Sequence, residues 1–403
     1  MLRRLMFICV FAMFDFTTIR AFANDTAAEL ATGGLVFTKS NDIEMQSEDL
    51  FISMNEVRVQ YHFYNRSNRD ITTQIAFPMP DIPYGVDDFN FVIPTNDVQN
   101  ILGFKTIVNN RPVAALVERK AFLDGIDKTE DLRKLGVPIA PNLTEKYDYL
   151  SQETWNQLVR LRLIQDSPKT DGILQPRWTL KTTYYWEQTF PAHQDVIIDH
   201  HYLPSVGGVV PMSASDLLKD PSNLQVDQSK GLNRFCIDQT FLNAMSGPTN
   251  KVWEQHFLEY ILVTGANWSG PINNFRLVVD KASPDNLVSF CGQRVRKISA
   301  TQFEVRLSQF VPTSNLSILI LSPAQLAPAA PTNLTAMNCA QLWYQRNSIF
   351  KAAGYCFRTP RGIGAFGNAG CVYNNLADTP LSDQNRQAIN AIQQVERTKG
   401  CAP

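Results

Sequence analysis

The most regular feature of the chain is an alternation of apolar and polar residues with a period of two. In residues 56–64, one face collects apolar and aromatic side chains, namely Val57, Val59, Tyr61 and Phe63. This period is typical of a half-buried β-strand. Further strands are predicted where β-branched and aromatic residues cluster, at 71–77, 178–186, 196–203, 260–264, 275–280, 303–307 and 316–321. The pattern favours an antiparallel β-sandwich over alternating strand–helix units.

A helical spacing of apolar residues interrupts this β pattern in one central region. It predicts helices at 114–123, 128–135 and 152–163, with Ser151 as the N-cap of the last one. We therefore expect a helical insertion at about 114–165, within a β domain that runs from 24 to 322.

The last part of the chain has a different pattern, which predicts a separate small domain at 336–403. A connector rich in proline and alanine, at 323–335, precedes it and is typical of a semi-rigid linker. Helical spacing predicts helices at 340–353 and 382–399, and the glycine-rich stretch 362–370 between them is expected to be a flexible loop. The predicted fold class is thus mainly β, with a helical insertion and a small α-rich, disulfide-stapled C-terminal domain.

The first 23 residues have the pattern of a cleaved secretory signal peptide. Two arginines precede an apolar run of ten residues, and small residues at 21 and 23 suit cleavage between Ala23 and Asn24. The run is shorter than the ~20 apolar residues that a spanning helix needs, so an uncleaved membrane anchor is the less favoured alternative. We expect a periplasmic or secreted protein whose mature chain has no transmembrane segment.

Six cysteines remain once the predicted signal peptide is removed, and an even number in an exported chain favours disulfide bonds. Two lie in the β region and four near the C-terminus. Sequence alone does not fix the pairing, but this distribution favours Cys236–Cys291 in the body and Cys356–Cys371 within Cys339–Cys401 in the tail. A four-cysteine zinc site is the alternative, and the lack of a Cys-x-x-Cys pair weighs against it.

Composition limits the class of protein. The chain has 403 residues, with 37 Lys and Arg against 38 Asp and Glu, and it is 44% hydrophobic and 19% charged. These values are typical of a globular protein of two or three domains rather than of a disordered chain. Near-neutral charge without a long basic run argues against nucleic-acid binding.

The densest group of titratable side chains is the stretch 193–201, which contains three histidines and two aspartates. In a strand, His200 points to the same face as Val196 and Ile198, whereas His201 points to the other face. Adjacent histidines on opposite faces do not readily share one metal ion. The pattern therefore predicts one packed histidine, one solvated histidine and no metal site.

No stretch of the sequence carries a recognisable catalytic or cofactor-binding constellation. Residues 362–367 fit Gly-x-Gly-x-x-Gly, but they follow no predicted strand of a βαβ unit and so do not predict a dinucleotide site. The acidic residues Glu44, Glu48 and Asp49 are interpreted as surface charges. We accordingly predict no catalytic residue, no cofactor and no bound metal.

Aromatic side chains are the remaining candidates for binding a ligand or a partner protein. Trp186, Trp268 and Trp343 are candidates for stacking on sugars or for filling a pocket of a partner protein. Packing in the core is the alternative interpretation for each of them. We retain all three as possible binding residues.

Several segments of the β region occur together and in order, at 24–35, 64–67, 77–82, 264–272 and 289–292. Through them the region 24–322 resembles the bacterial DUF4424 family, which has no assigned activity. A weaker similarity to the VIT β-sandwich rests on Phe-Pro-Met-Pro at 77–80. It agrees with an interaction-type β domain and implies no reaction.

The tail carries a second resemblance. Leu342 and Trp343, the segment 354–357 and the helix at 381–396 are similar to the YARHG domain, an extracellular module. The naming motif departs from the family pattern, because residues 350–354 read Phe-Lys-Ala-Ala-Gly and lack its arginine and histidine. The resemblance implies a module that acts outside the cytoplasm, and it implies no reaction.

Together these observations favour a non-enzymatic binding or scaffolding protein of the cell envelope. Its expected partner is an envelope glycan, such as peptidoglycan or exopolysaccharide, or another envelope protein. The alternative is a hydrolase of envelope polysaccharide that uses two carboxylates, since such a pair needs no local motif.

Overall fold

The computed structural model describes most of the chain after residue 23. The described residues are 24–31, 34–84, 90–91, 93–95, 97–141, 146–166, 169, 172–219, 234–246, 251–324, 334–366, 368, 371–379, 381 and 383–401. The predicted signal peptide and most of the predicted linker, 325–333, lie outside them, so both remain predictions. Within the described ranges, no helix has the length and apolar character needed to cross a bilayer.

The chain divides into two compact units. The first comprises Met1–Thr249 and Glu254–Ser322, and the second comprises Asn250–Trp253 and Pro323–Pro403. Nearly all the strands belong to the first unit, and the second consists mainly of the helical tail.

The strands, in chain order, are β1 (Thr26–Ala31), β2 (Gly34–Thr38), β3 (Ile43–Ile52), β4 (Val57–Asn65), β5 (Ile71–Pro78), β6 (Ile82–Pro83), β7 (Asn90–Phe91), β8 (Lys105–Val108), β9 (Arg111–Val113), β10 (Leu116–Leu123), β11 (Ile126–Asp127), β12 (Thr179–Phe190), β13 (Asp195–Tyr202), β14 (Gly207–Ser213), β15 (Val252–Tyr260), β16 (Ile272–Asp280), β17 (Leu287–Phe290), β18 (Arg296–Lys297), β19 (Gln302–Phe310) and β20 (Leu316–Pro323). The helices are α1 (Thr129–Lys134), α2 (Gln152–Arg160), α3 (Ala214–Lys219), α4 (Gln239–Ser246), α5 (Cys339–Ala352), α6 (Pro360–Phe366) and α7 (Asp383–Thr398).

The strands form three sheets. The first has the order β11-β10-β12-β5-β1-β2, with β6 also paired to β12. The second has the order β18-β19-β16-β3-β4-β13-β8-β9, and the third has the order β17-β20-β15-β14-β7. Pairing is mainly antiparallel, although β3 and β16 run parallel. The mainly antiparallel β fold expected from the sequence is therefore confirmed.

One hydrophobic core draws side chains from all three sheets. Strand β4 buries the predicted face, which consists of Val57, Val59, Tyr61 and Phe63. The first sheet contributes Phe77, and the third contributes Ile318. Each sheet thus turns one alternating face inward, as sheets that pack face to face do.

The predicted helical insertion is only partly helical. Residues 116–123 form β10, which pairs with β12 from Leu116 to Phe122, so the predicted helix at 114–123 is wrong. Hydrogen bonding to a neighbouring strand outweighs the local spacing, because strand formation depends on tertiary context. Helices α1 and α2 do form, and the Ser151 hydroxyl caps α2 by accepting from the Thr154 amide at 3.0 Å.

The second unit has the two predicted tail helices, as α5 and α7. They pack around a small core of Leu342, Ile349, Phe350, Phe357, Ile389 and Ile392. Two disulfides, Cys339–Cys401 and Cys356–Cys371, cross-link this unit. A third, Cys236–Cys291, lies in the first unit. These are the pairs that the cysteine distribution favoured.

The glycine-rich stretch of the tail is helical where the structure describes it. Helix α6 spans Pro360–Phe366, so the predicted flexible loop is wrong for these residues. A Cβ atom added at Gly362 would lie 2.7 Å from Cδ1 of Phe357. Gly362 therefore permits close packing against an aromatic ring, which a larger residue would prevent.

Candidate functional site

The outer face of the second sheet carries an open groove with a volume of about 650 Å³. We call it the outer groove. It lies across β3, β4, β8, β13, β16 and β19, and its outward side chains include Asp49, Phe51, Arg58, Gln60, Lys105, Ile107, Asp199, His201, Arg276, Val278 and Gln302. It thus combines charged, amide and apolar groups on one open surface.

Strand register places five groove residues in one row across the sheet. The row runs through Ile107, Asp199, Gln60, Asp49 and Arg276, each paired with the next. Because neighbouring strands lie about 4.8 Å apart, this row is about 19 Å long. Its length suits an extended ligand rather than a single small ion.

Hydrogen bonds hold the polar side chains of this row in place. Gln60 Nε2 donates to Asp199 Oδ1 at 2.8 Å. Arg276 Nη1 donates to both carboxylate oxygens of Asp49, at 2.9 and 3.1 Å. Both aspartates therefore already accept hydrogen bonds from their neighbours, which is the arrangement of a preformed binding surface.

Glu304 fixes the position of Arg276 from the neighbouring strand β19, where it pairs with Val278 on the same face of the sheet. Its side chain is only 4% exposed and lies within 2.9 Å of guanidinium nitrogens of Arg306, Arg276 and Arg296. These three hydrogen-bonded guanidinium groups lower the pKa of Glu304 to about 2. The carboxylate therefore stays ionised, and it holds Arg276 at the end of the row.

A second row, two residues further along the strands, borders the first. It runs through Lys105, His201, Arg58, Phe51 and Val278. The Arg58 guanidinium lies 4.4 Å from the ring centroid of Phe51, a cation–π contact. The Lys105 side chain forms no hydrogen bond or ion pair with any residue the structure describes, so its ammonium group is available to a ligand.

Beneath the same sheet lies a cluster that the solvent does not reach. Asp25 Oδ1 and His200 Nε2 are 3.0 Å apart, and both side chains are fully buried. Thr106 Oγ1 lies 3.2 Å from the other ring nitrogen of His200. We use the name buried acidic cluster for Asn24, Asp25, Glu48 and His200.

Glu48 is the second carboxylate of the buried acidic cluster. Asn24 Nδ2 donates to Glu48 Oε2 at 3.0 Å. Burial raises the pKa of Glu48 to about 8, and the nearby charge of Asp25 adds to this effect, although the Asn24 hydrogen bond opposes it. Burial likewise raises the pKa of Asp25, while His200 opposes that rise.

Aromatic rings enclose the cluster. The ring centroids of Phe77, Phe104 and Trp186 lie 4.8, 5.0 and 5.3 Å from that of His200. The hydroxyl groups of Tyr61 and Tyr260 are hydrogen-bonded at 2.8 Å. Asp25 and Glu48 are both 0% exposed, so solvent does not reach these carboxylates, although His200 is among the residues that line the outer groove.

A β-bulge explains why Glu48 is buried rather than exposed. The register between β3 and β4 shifts between Met45 and Ser47. After the shift, Glu48 falls in phase with the buried residues Leu50 and Ile52. The interpretation of Glu48 as a surface charge is therefore wrong, although counting back by twos from Leu50 would have found it.

The candidate residues from the sequence have mixed outcomes. Trp186 and Trp268 are 3% and 4% exposed within the core, so their proposed role in surface recognition is wrong. Trp343 is half-buried, and the Arg361 guanidinium covers its ring at 3.9 Å from the centroid. The prediction of one packed and one solvated histidine is confirmed by His200 and His201.

Comparison with solved structures finds similarities of low identity. A candidate nutrient-binding protein from Legionella pneumophila aligns over 93% of this chain and 98% of its own, with 17% identity and a TM-score of 0.37. An M1 zinc metallopeptidase from Deinococcus radiodurans aligns over 70% of this chain and 43% of its own, with 7% identity and a TM-score of 0.23. With TM-scores this low, neither likeness supports an argument about function.

Family profiles give a clearer result, whereas the comparison with curated proteins found no similar chain. The YARHG domain matches residues 317–397. Together with the three disulfides, this match fits an extracellular or periplasmic protein. The domain of unknown function DUF4424 matches residues 23–319, which is most of the chain. The protein therefore belongs to the DUF4424 family.

Proposed function

We propose that this protein is an exported binding protein of the cell envelope, without catalytic activity, and that its outer groove binds an envelope glycan. The observation that carries the proposal is the double row of polar and apolar side chains across the second sheet. Its length suits several units of a chain-like ligand. Cleavage of the signal peptide between Ala23 and Asn24 belongs to the same proposal.

The chemistry of the groove suits a polyhydroxylated ligand. Gln60 and the aspartates present hydrogen-bonding groups fixed by neighbours, and Lys105 adds an ammonium group for an anionic substituent. Phe51 and Ile107 supply apolar area beside them. A mixture of oriented polar groups and apolar area provides both specificity and affinity.

Co-sedimentation with purified cell-wall sacculi tests this proposal. The mature chain, 24–403, should pellet with sacculi under oxidising conditions, and Gln60→Ala and Lys105→Ala should each reduce the bound fraction several-fold. Gln152→Ala and Lys134→Ala, on exposed helix surfaces, are the matched controls and should bind like the parent. Trp343→Ala tests whether the tail contributes.

Three outcomes would count against the proposal. If the parent chain does not pellet at two salt concentrations, the glycan is not the ligand, and another envelope protein becomes the better candidate. If the chain pellets but the groove variants bind as well as the controls, the site lies elsewhere. Release of soluble sugar fragments from the sacculi would favour the hydrolase alternative instead.

A further inference from the structure

The first residues of the predicted mature chain are fixed in the interior of the first unit. Asn24, Asp25 and Thr26 all have 0% exposure. Thr264 Oγ1 donates to the Asn24 carbonyl oxygen at 2.8 Å, and Trp268 Nε1 donates to that of Asp25 at 2.7 Å. Chain termini are usually loose and solvated. The burial of this segment therefore needs an explanation.

The buried acidic cluster has more acceptors than donors. Three oxygen atoms, Glu48 Oε1, Asp25 Oδ2 and Asn24 Oδ1, have no hydrogen-bond partner within 3.5 Å among the described residues. The Tyr260 hydroxyl group is near enough to Glu48 to oppose the rise of its pKa, but it does not supply a partner to Asp25 or Asn24. Buried acceptors without donors destabilise a folded protein. If both carboxylates of the cluster ionise, they carry two negative charges, and a single imidazole supplies at most one positive charge to balance them. Both deficits could be met by one cation with several N–H groups.

The mature N-terminus is such a cation, and it belongs to Asn24 itself. A few covalent bonds, about 5 Å at most, join the α-nitrogen of Asn24 to its side-chain amide nitrogen. That amide nitrogen already lies 3.0 Å from Glu48. An α-ammonium group offers three N–H donors and one positive charge, which are the features that the cluster lacks.

We infer that cleavage between Ala23 and Asn24 places the new α-ammonium group of Asn24 inside the buried acidic cluster, where it forms an ion pair with Glu48. In this step, water adds across the Ala23–Asn24 peptide bond. The water oxygen becomes part of the new carboxylate of Ala23, and the Asn24 nitrogen keeps the electron pair of the broken bond and takes both protons of the water, which makes it an α-ammonium group. The inference rests on the export and processing that form part of the proposed function.

Processing would then complete the fold. Before cleavage, the Asn24 nitrogen is a neutral amide with one N–H group, so it neither neutralises Glu48 nor satisfies the remaining acceptors. After cleavage, the charged nitrogen stabilises only the native state, because the unfolded chain does not bring Glu48 close to it. The precursor is therefore expected to be less stable than the mature protein.

The test compares two chains that differ by one residue. One begins at Asn24, released from a fusion by a protease that leaves no extra residue, and the other retains Ala23. At neutral pH, we expect the unfolding equilibrium constant in urea to be at least about tenfold larger for the chain with Ala23. In the isosteric background Glu48→Gln, this difference should largely disappear. Equal unfolding of the two parent chains, or an equal difference in both backgrounds, would overturn the inference.

Chemical labelling provides a second readout that does not depend on stability. An amine-reactive reagent applied to the native chain that begins at Asn24 should modify exposed lysines and spare the α-amine, as peptide masses would report. In urea the α-amine should react fully. Rapid native labelling of Asn24, or an exported protein that begins at another residue, would contradict the inference. Failure of sacculus binding would instead count against the groove proposal alone.

Discussion

His200 and Asp25 form a fully buried pair, with Nε2 and Oδ1 3.0 Å apart, whereas His62 and Asp195 form an exposed pair with a 2.8 Å separation. The two pairs have the same chemistry, and both involve β13. They differ in their surroundings, because solvent screens the exposed pair and aromatic rings enclose the buried one. This contrast allows the contribution of burial to be measured directly.

Removing one member of the buried pair should strongly destabilise the first unit. We expect His200→Ala to lower the free energy of unfolding by about 3 to 5 kcal/mol, because Asp25 is left buried without its partner. His62→Ala should cost no more than about 1 kcal/mol, since the pair it breaks is exposed. Urea unfolding of both variants checks this. Similar losses for the two variants would contradict the prediction.

Stability should fall with rising pH when the chain retains Ala23. Burial raises the pKa of Glu48 from 4.5 to about 8. The folded state then holds a proton that the unfolded state releases, so this stabilisation is complete below pH 4.5 and is lost as the pH rises toward 8. The charged and titratable groups that face Glu48 are Asp25, Tyr61 and Tyr260, with His200 beyond Asp25.

Urea midpoints measured between pH 5 and 8.5 test this dependence. The chain that retains Ala23 should lose stability across this window, and its Glu48→Gln variant should lose less. The chain that begins at Asn24 should also show a smaller loss, because its ammonium group stabilises the Glu48 carboxylate. Equal slopes for the parent and Glu48→Gln chains would show that Glu48 does not titrate in this way.

Glu304 should have the opposite pH dependence. Its pKa is lowered to about 2 by three guanidinium groups, so its stabilising effect is present above pH 4.5 and is lost as the pH falls toward 2. At pH 7, Glu304→Gln should reduce the free energy of unfolding by about 1 to 3 kcal/mol. Glu130→Gln, which affects an exposed pair with Arg133, is the control. A loss that persists unchanged at pH 2.5 would contradict this account.

The short disulfide of the tail should contribute strongly to the stability of the second unit. Cys356 and Cys371 are 15 residues apart, and closing a loop of this length is worth up to about 3 kcal/mol in the chain-entropy model. The unit has a small core, so it depends on such cross-links. Replacing both cysteines with serine should make the tail the first region cut in limited proteolysis. Cleavage as slow as in the parent would show that the helices suffice.

Several parts of the fold could be predicted from local pattern. The alternation in β4 correctly placed Val57 to Phe63, and the same rule in β13 separated His200 from His201. The prediction of a helix at 114–123 was wrong, because residues 116–123 form β10 and their pairing with β12 decides the conformation of this segment. The sequence also failed to predict that Trp186 and Trp268 are buried, because the residues next to an aromatic side chain do not show whether it lies in the core or on the surface.

By itself, the sequence determined the mainly β class and the two tail helices, because near neighbours along the chain encode periodicity. It favoured the three cysteine pairs without fixing them, and the resemblance of several segments to known families indicated the family. Only the tertiary structure decided the outer groove, where strands distant in sequence align their side chains in rows. The tertiary structure also decided the environment of Glu48, because a β-bulge turns its side chain to the buried face of β3 and burial raises its pKa. Asn24 precedes β1, and Glu48 and His200 lie on β3 and β13. These three residues are distant in sequence and come together only through packing, so no local pattern predicts their contact.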